Sequence, residues 1–206
     1  MRLVEVLVEE PSMEAALQQL LPRLLSGRAR WKIINLGSKH ALFAKAEARL
    51  RAYRRRIADG EALRVVVVVD QDNDACAMLK ARLEDAAKRA GLATKTVPDR
   101  SGAFAVVTRI AVLELESWFL GDPAALRASF PRLPTIKLGT TPFRNPENGG
   151  TWEALHRFLR RHGYYPGGYP KIEAARLIGR HLKTEGNRAR SFGAFCEGVI
   201  AAATGP

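Results

Sequence analysis

The clearest structural signal in the sequence is the stretch Arg64-Val65-Val66-Val67-Val68-Val69-Asp70-Gln71-Asp72-Asn73-Asp74. Five consecutive valines predict a short strand that is buried on both faces, as in a parallel sheet covered by helices. The strand ends in three carboxylates at alternate positions. In open α/β sheets ligands bind at the carboxyl ends of the strands, and clustered acids are costly unless a cation neutralises them. The stretch therefore predicts an acid cluster that binds Mg²⁺ where an α/β protein places its active site.

Helix capping is the alternative interpretation of these acids. Asn73 or Asp74 could cap a helix expected over about residues 73–90, which explains one acid and leaves the others without a role. An EF-hand calcium loop does not fit, because its sixth position is Ala75 instead of Gly and its twelfth is Ala81 instead of Glu.

Working outward from the valine strand, strand and helix signals alternate through the first 122 residues. The other predicted strands cover residues 3–8, 31–36, 94–97 and 104–112. The predicted helices cover residues 13–26, with Ser12 as N-cap, and residues 39–58, 73–90 and 113–120. This alternation predicts an α/β fold with a parallel sheet and crossover helices.

The sequence changes character after Asp122-Pro123. Prolines and a Gly-Gly pair mark loops, and three further helices are predicted over residues 151–161, 171–182 and 191–203. We therefore expect an α/β core over residues 1–122 and a basic helical extension over residues 123–206 that packs on it.

Composition supports a globular protein with a polyanionic partner. The net charge is +12, and residues 127–206 hold 13 Lys and Arg against 5 Glu and no Asp. A basic region beside an acid cluster suits nucleic acid, although the chain could simply be a basic protein. Cys76 and Cys196 form neither a disulfide framework nor a zinc motif. Without a signal peptide or a membrane-length apolar run, a cytoplasmic location is the simplest interpretation.

Two more acidic groups follow predicted strands. Glu9 comes directly after the first strand, so Glu9, Asp70 and Asp72 would converge if the first and third strands are neighbours. The alternative, favourable electrostatics in the first turn of a helix, suits Glu14 better than Glu9. Glu114 and Glu116 would either join the metal site or lie on the exposed face of a short helix.

The whole chain also resembles a known family. Glu after the first strand and Asp-x-Asp after the third resemble the Toprim domain of topoisomerases, DnaG-type primases and overcoming-lysogenization-defect nucleases. More closely, the chain resembles the small Toprim-like family catalogued as domain of unknown function 4276. The matching motifs are Val8–Glu14, Val69–Asp74, Glu114–Asp122, Gly150–Leu155, Lys171–Ala175 and Arg188–Phe192.

The resemblance implies a Toprim-like Rossmannoid sheet and a metal-dependent active site. It implies that Glu9 serves in acid–base chemistry or metal binding and that Asp70 and Asp72 bind Mg²⁺ or Mn²⁺. The full candidate metal set is Glu9, Asp70, Asp72, Asp74, Glu114 and Glu116. One departure is Glu10, which stands where Toprim domains usually have Gly.

The function that the resemblance implies is Mg²⁺-dependent phosphoryl transfer by a nuclease, acting with an ABC-type ATPase partner in phage defence. The alternative is a non-catalytic nucleic-acid-binding or regulatory subunit with a degenerate metal site. Two other Asp-x-Asp enzymes fit less well: a haloacid-dehalogenase phosphatase has Thr or Val where Asn73 stands and carries the motif on an early strand, and a nucleotide-sugar transferase does not explain Glu9.

Several basic residues are candidates for contacts with the nucleic-acid backbone. They are Lys39, Arg54, Arg55, Arg56, Arg160, Arg161, Lys171, Arg188 and Arg190. Gly37-Ser38-Lys39 could equally be a turn and helix cap, and the arginines of the second helix a solvated face. Tyr164, Tyr165 and Tyr169 would either stack on bases or fasten their loop to the core.

Overall fold

The computed structural model describes residues 1–206 and contains one four-stranded parallel sheet. The strands are β1 (Leu3–Val8), β2 (Arg30–Asn35), β3 (Leu63–Asp70) and β4 (Val106–Ala111), in the order β2-β1-β3-β4. Every residue of β3 is buried, as the valine run predicts. The predicted α/β class with a parallel sheet flanked by helices is therefore confirmed.

Eight helices complete the fold. They are α1 (Pro11–Leu25), α2 (Lys39–Ala58), α3 (Cys76–Arg89), α4 (Leu115–Leu120), α5 (Pro123–Ser129), α6 (Trp152–Arg161), α7 (Lys171–Gly179) and α8 (Arg190–Thr204). No helix combines the length and the apolar character that a membrane crossing requires.

The helices form two layers around the sheet. Val66 and Val68 of β3 point into a core shared with α1, α7 and α8, whereas Val65, Val67 and Val69 point into a second core with α2 and α3. Alternate side chains of a strand face opposite sides of a sheet, so a continuous valine run is what this three-layer arrangement needs.

The connections place a topological switch point between β1 and β3. The α1 crossover leads from β1 to β2 on one face of the sheet, and the α3 crossover leads from β3 to β4 on the other face. A crevice opens where neighbouring strands send their chains to opposite faces, and ligands of open α/β sheets bind there. Glu9 and Asp70 stand at this point of the fold.

The two halves of the chain share one hydrophobic core. Helix α8 packs on β4 and β3, covering the part of the sheet face that α1 leaves free, and α7 packs on α1. The crossing of α7 and α1 is so close that a Cβ on Gly179 would lie 2.7 Å from the carbonyl oxygen of Ala16. A division of the chain at residue 122 stays a prediction.

Three local predictions are wrong. Residues 94–97 are not a strand, since Thr94 makes only an isolated bridge to Val106 and its N–H donates to the Val97 carbonyl in a tight turn. Helix α3 starts at Cys76 with no side-chain cap, so neither Asn73 nor Asp74 caps it. Helix α1 begins at Pro11, which places Ser12 inside the helix instead of at its cap, and the short helix α5 was not predicted.

Candidate active site at the carboxyl ends of β1, β3 and β4

The site begins with a direct contact between the ends of β1 and β3. Glu9 is 5 % exposed, and its Oε1 accepts a hydrogen bond from the backbone N–H of Asp70. Parallel pairing of β1 with β3 brings the two residues to the same sheet edge. Burial raises the pKa of Glu9 to about 7, although the Asp70 hydrogen bond and the nearby Lys39 ammonium act in the opposite direction.

Asp70 is the most isolated carboxylate of the site. It is 5 % exposed, and its Oδ1 is buried without a hydrogen-bond partner. Burial, reinforced by the charges of Glu10, Glu9 and Glu116, raises its pKa well above the usual value. An unpaired buried carboxylate oxygen costs free energy, so the surroundings of Asp70 favour its protonated form or a cation beside it.

The third strand end adds Glu114 and Glu116. The Oε2 of Glu114 accepts a hydrogen bond of 2.8 Å from the Trp152 N–H at the start of α6. Glu116 is 2 % exposed on α4, and burial raises its pKa to about 7. The interpretation of Glu116 as part of an exposed helix face is therefore wrong. Six carboxylates form what we call the acid cluster: Glu9, Glu10, Asp70, Asp72, Glu114 and Glu116.

A tyrosine hydroxyl borders the cluster from the C-terminal half. The hydroxyl of Tyr169 is buried and has no hydrogen-bond partner. Burial and the charge of the neighbouring Glu116 raise the pKa of Tyr169 well above its usual value. Tyr169 therefore stays protonated and can donate a hydrogen bond to a carboxylate or a bound oxyanion.

Lys39 is the cation that the chain itself supplies. Its Nζ lies 2.7 Å from Oδ2 of Asp72 and 3.0 Å from Oδ2 of Asp74, and it also donates to the Gln71 carbonyl at 3.0 Å. Partial burial works against the charged ammonium, but the hydrogen bonds to Asp72 and Asp74 raise the pKa of Lys39. Ser38 caps α2 and so fixes the start of the helix that carries Lys39.

The loops after β3 and β4 are hydrogen-bonded to each other, and each contains one residue with a positive φ angle. Asp72 has φ 50° and Leu113 has φ 62°, both in the left-handed region. The N–H of Asp72 donates to the Leu113 carbonyl at 2.7 Å, and Gln71 accepts from the Leu113 N–H through its side chain. Backbone strain of this kind concentrates at functional sites.

The acid cluster combines negative charge with one unpaired buried oxygen. Asp70 has a free buried oxygen, and both Glu9 and Glu116 have pKa values raised to about 7 by burial. As the side chains stand, however, no three Asp, Glu, His or Cys residues have the arrangement that holds a metal ion. Asp72 and Asp74 point to Lys39, so a cation shared with Glu9 and Asp70 would have to replace that ammonium.

Apart from Lys39, the predicted nucleic-acid contacts on α2 lie away from the acid cluster. Arg54 and Arg55 are exposed near the C-terminal end of α2, about 22 Å along the helix axis from Lys39. Arg56 forms ion pairs with Glu5 and Glu61 at the same end. Whether this surface contacts nucleic acid stays a prediction, but the structure does not bring it to the acids.

The basic residues of the C-terminal half have different surroundings. Lys171 lies over the Trp152 ring at 5.2 Å, and its charge acts on Glu114 and Glu116. Arg160, Arg161 and Arg190 are exposed. Arg188 donates to the carbonyls of Leu138, Phe143 and Arg144, which holds the loop before α6.

The tyrosines fasten their loop to the core. Tyr164 and Tyr165 make edge-on contacts with Phe130, and Tyr169 stacks on Trp152. Base stacking on these rings would compete with those contacts.

Sequence reasoning did not find three features of the site. The pairing of Lys39 with Asp72 and Asp74, the buried hydroxyl of Tyr169 and the contact from Glu114 to Trp152 all join residues far apart in the chain. The position of Lys39 directly after β2 was the one available signal, because the end of β2 lies beside that of β1.

Comparison with known proteins identifies a family over nearly the whole chain. A family model described as Domain of unknown function (DUF4276) matches residues 8–200. The comparisons with curated proteins and with solved structures give no match.

Proposed function

The chain belongs to the family described as Domain of unknown function (DUF4276), and we propose that it is a Mg²⁺-dependent phosphoryl-transfer enzyme of Toprim type that cleaves nucleic acid. The observation that carries the proposal is Asp70, a buried carboxylate with an unpaired oxygen among five other carboxylates at the switch point of an α/β sheet. A divalent cation would relieve the repulsion among these carboxylates and satisfy the unpaired oxygen of Asp70.

Glu9, Asp70 and Asp72 would hold the cation, and Glu114 and Glu116 are the candidates to support it or to hold a second one. A bound Mg²⁺ or Mn²⁺ supplies neutralisation of the scissile phosphate and orientation of the nucleophile. The net charge of +12 favours the approach of a polyanion to the protein as a whole.

The protein's own groups account for the proton movements of hydrolysis. Water adds to phosphorus and gives a proton to a carboxylate, the bond from phosphorus to one bridging oxygen breaks, and that oxygen leaves with a proton. Glu116, whose pKa burial raises to about 7, suits proton transfer near neutral pH, and Glu9 would serve as the general acid or base only where it is not a metal ligand.

The test is cleavage of single- and double-stranded DNA and RNA with Mg²⁺, with Mn²⁺ and with EDTA. We expect metal-dependent cleavage that Asp70→Asn reduces at least about 100-fold, because even residues that only support a metal ligand contribute 10- to 100-fold. Asp85→Asn, at an exposed position of α3, is the control and should cleave like the wild type. Equal activity of Asp70→Asn and wild type would indicate a contaminating nuclease and contradict the proposal.

A second candidate, a non-catalytic nucleic-acid-binding or regulatory subunit, is favoured by Lys39. Its ammonium already neutralises Asp72 and Asp74, as an internal substitute for a metal would. Tight binding of nucleic acid without any Mn²⁺-dependent change in melting temperature or turnover would select this function.

The resemblance to small Toprim proteins also leads us to propose a cytoplasmic role in phage defence with an ABC-type ATPase. Adding such an ATPase with ATP to the cleavage assay should stimulate the wild type and leave Asp70→Asn inactive.

A further inference from the structure

Two basic surfaces are candidates for holding a substrate, and only one of them adjoins the acid cluster. Helix α6 starts at the cluster, since Glu114 accepts the Trp152 N–H at 2.8 Å. Lys171, which acts on Glu114 and Glu116, lies over the Trp152 ring. The α2 arginines instead lie about 22 Å along α2 from Lys39.

The exposed face of α6 carries arginines that no carboxylate neutralises. Arg157 and Arg160 are exposed, and their side chains make no ion pair or hydrogen bond within the protein. They line a shallow cavity of about 190 Å³ together with Trp152, Glu153 and His156. Glu153 stands in the first turn, at the end of the cavity nearest the cluster.

The spacing along α6 suits successive phosphates that lead toward the acids. Arg157 and Arg160 lie about 8 and 12 Å from Trp152 along the helix axis. Free arginines at these distances can contact the backbone of a strand whose next phosphate reaches the acid cluster. A guanidinium is the side-chain group best suited to phosphate.

The burial of the acids limits the shape of that strand. Glu9, Asp70 and Glu116 are only 2–5 % exposed, so a phosphate must bend inward from the surface to approach them. A flexible single strand can bend one phosphate inward, whereas a duplex is stiff over many base pairs.

We propose that the substrate is a single-stranded nucleic acid whose backbone runs along α6, with its phosphates held by Arg157 and Arg160. This inference rests on the proposed nuclease function for its reaction and on the geometry of α6 for its path. Arg157 and Arg160 are positioning residues that hold the strand without touching the reacting phosphate.

The experiment compares two double variants with the same loss of charge, Arg157→Ala/Arg160→Ala on α6 and Arg54→Ala/Arg55→Ala on α2. All four side chains are exposed, and melting temperatures will confirm that both proteins are folded. Binding is measured in the Asp70→Asn background with a labelled single-stranded oligonucleotide too short to span both surfaces. Cleavage is measured in proteins that keep the native Asp70, with the same oligonucleotide and with its blunt-ended duplex.

We expect the α6 variant to lose at least about 10-fold in affinity and to reduce the slope of log K against log salt by about 1.4, the value for two phosphate contacts on a single strand. Its KM should rise with little change in kcat. The α2 variant tests the competing prediction that Arg54 and Arg55 contact nucleic acid, and on the path along α6 it should change each quantity less than twofold. The duplex should be cleaved at least 10-fold more slowly than the single strand.

An unchanged salt slope in the α6 variant, an equal loss in both variants, or no binding of the single strand by Asp70→Asn would overturn the path along α6. Equal cleavage of duplex and single strand would overturn the single-stranded substrate. The proposed function fails separately, if Asp70→Asn cleaves as well as the wild type, and in that case the salt slopes still decide the path.

Discussion

At the scale of single residues, the site is marked by buried carboxylates whose pKa values lie near neutral pH. Glu9 and Glu116 both have pKa values raised to about 7, with burial as the largest cause. Their protons are therefore easily exchanged for a cation at physiological pH. The same property makes the stability of the metal-free protein depend on pH.

We predict that the metal-free protein loses stability as the pH rises from about 4.5 to 7. The folded pKa of Glu116 lies above its unfolded value, so its contribution is fully present below the unfolded pKa and is lost as the pH rises through the folded pKa. The loss is on the order of 3 kcal/mol for such a group. Melting temperatures with EDTA at pH 5 and pH 8 measure it.

The pH dependence should be smaller in Glu116→Gln, which cannot ionise, and unchanged in Glu185→Gln at an exposed position. Mn²⁺ should raise the melting temperature of the wild type most at pH 8, where the carboxylates are free of protons. Equal pH dependence in all three proteins without metal would show that Glu116 is not held protonated by its surroundings.

Lys39 gives a second prediction at the residue scale. Replacing it by Met removes the ammonium that occupies Asp72 and Asp74, so the affinity for Mn²⁺ should rise about 10-fold through lost repulsion and competition. Isothermal titration calorimetry measures the change, with the exposed Lys88→Met on α3 as control. Weaker Mn²⁺ binding in Lys39→Met would mean that Lys39 organises the ligands instead of competing for them.

At the scale of elements, the parts predicted best are those with local causes. The valine run determined β3, and α2 has the predicted bounds because Ser38 caps its start and Asp59-Gly60 ends it. The neighbouring positions of Glu9 and Asp70 followed from the rule that carboxyl ends of parallel strands share an edge. The strand predicted over residues 94–97 is wrong because this segment forms a tight turn, which strand propensity does not reveal.

The burial of Glu116 shows what a sequence read alone could not supply. A Glu on a short helix next to Leu115 and Trp118 has the pattern of an exposed residue. Packing of α6, Tyr169 and α8 around α4 makes every residue of α4 buried. These partners come from the far end of the chain, and no local pattern specifies them.

The junction between α4 and α6 carries a prediction at this scale. Glu114→Gln keeps an oxygen that accepts the Trp152 N–H, whereas Glu114→Ala leaves that N–H unpaired. We expect Glu114→Ala to lower the free energy of unfolding by about 1–3 kcal/mol and Glu114→Gln to lower it much less. Urea denaturation measures both, and equal losses would show that the hydrogen bond does not stabilise the start of α6.

At the scale of the whole molecule, the C-terminal half completes the core that the sheet begins. Helix α8 covers the part of the sheet face that α1 leaves free, α7 packs on α1, and Tyr169 and the start of α6 border the acid cluster. Folding of the extension is therefore coupled to assembly of the site. One cooperative unfolding transition should follow, because neither half can bury its apolar face alone.

The close crossing of α7 and α1 tests this coupling. Gly179→Ala would place its Cβ 2.7 Å from the Ala16 carbonyl oxygen, and overpacking of this kind costs typically 1–3 kcal/mol. The control is Gly193→Ala in α8, where no atom lies near the new Cβ. It should stabilise the protein by up to about 1 kcal/mol through helix propensity.

We expect Gly179→Ala to lower the midpoint of a single unfolding transition. Far-UV circular dichroism and tryptophan fluorescence should report the same midpoint, because Trp118 and Trp152 report on the C-terminal packing. A first transition detected by fluorescence alone would instead mean that residues 123–206 unfold as a separate unit, with the enclosure of the acid cluster lost before the sheet.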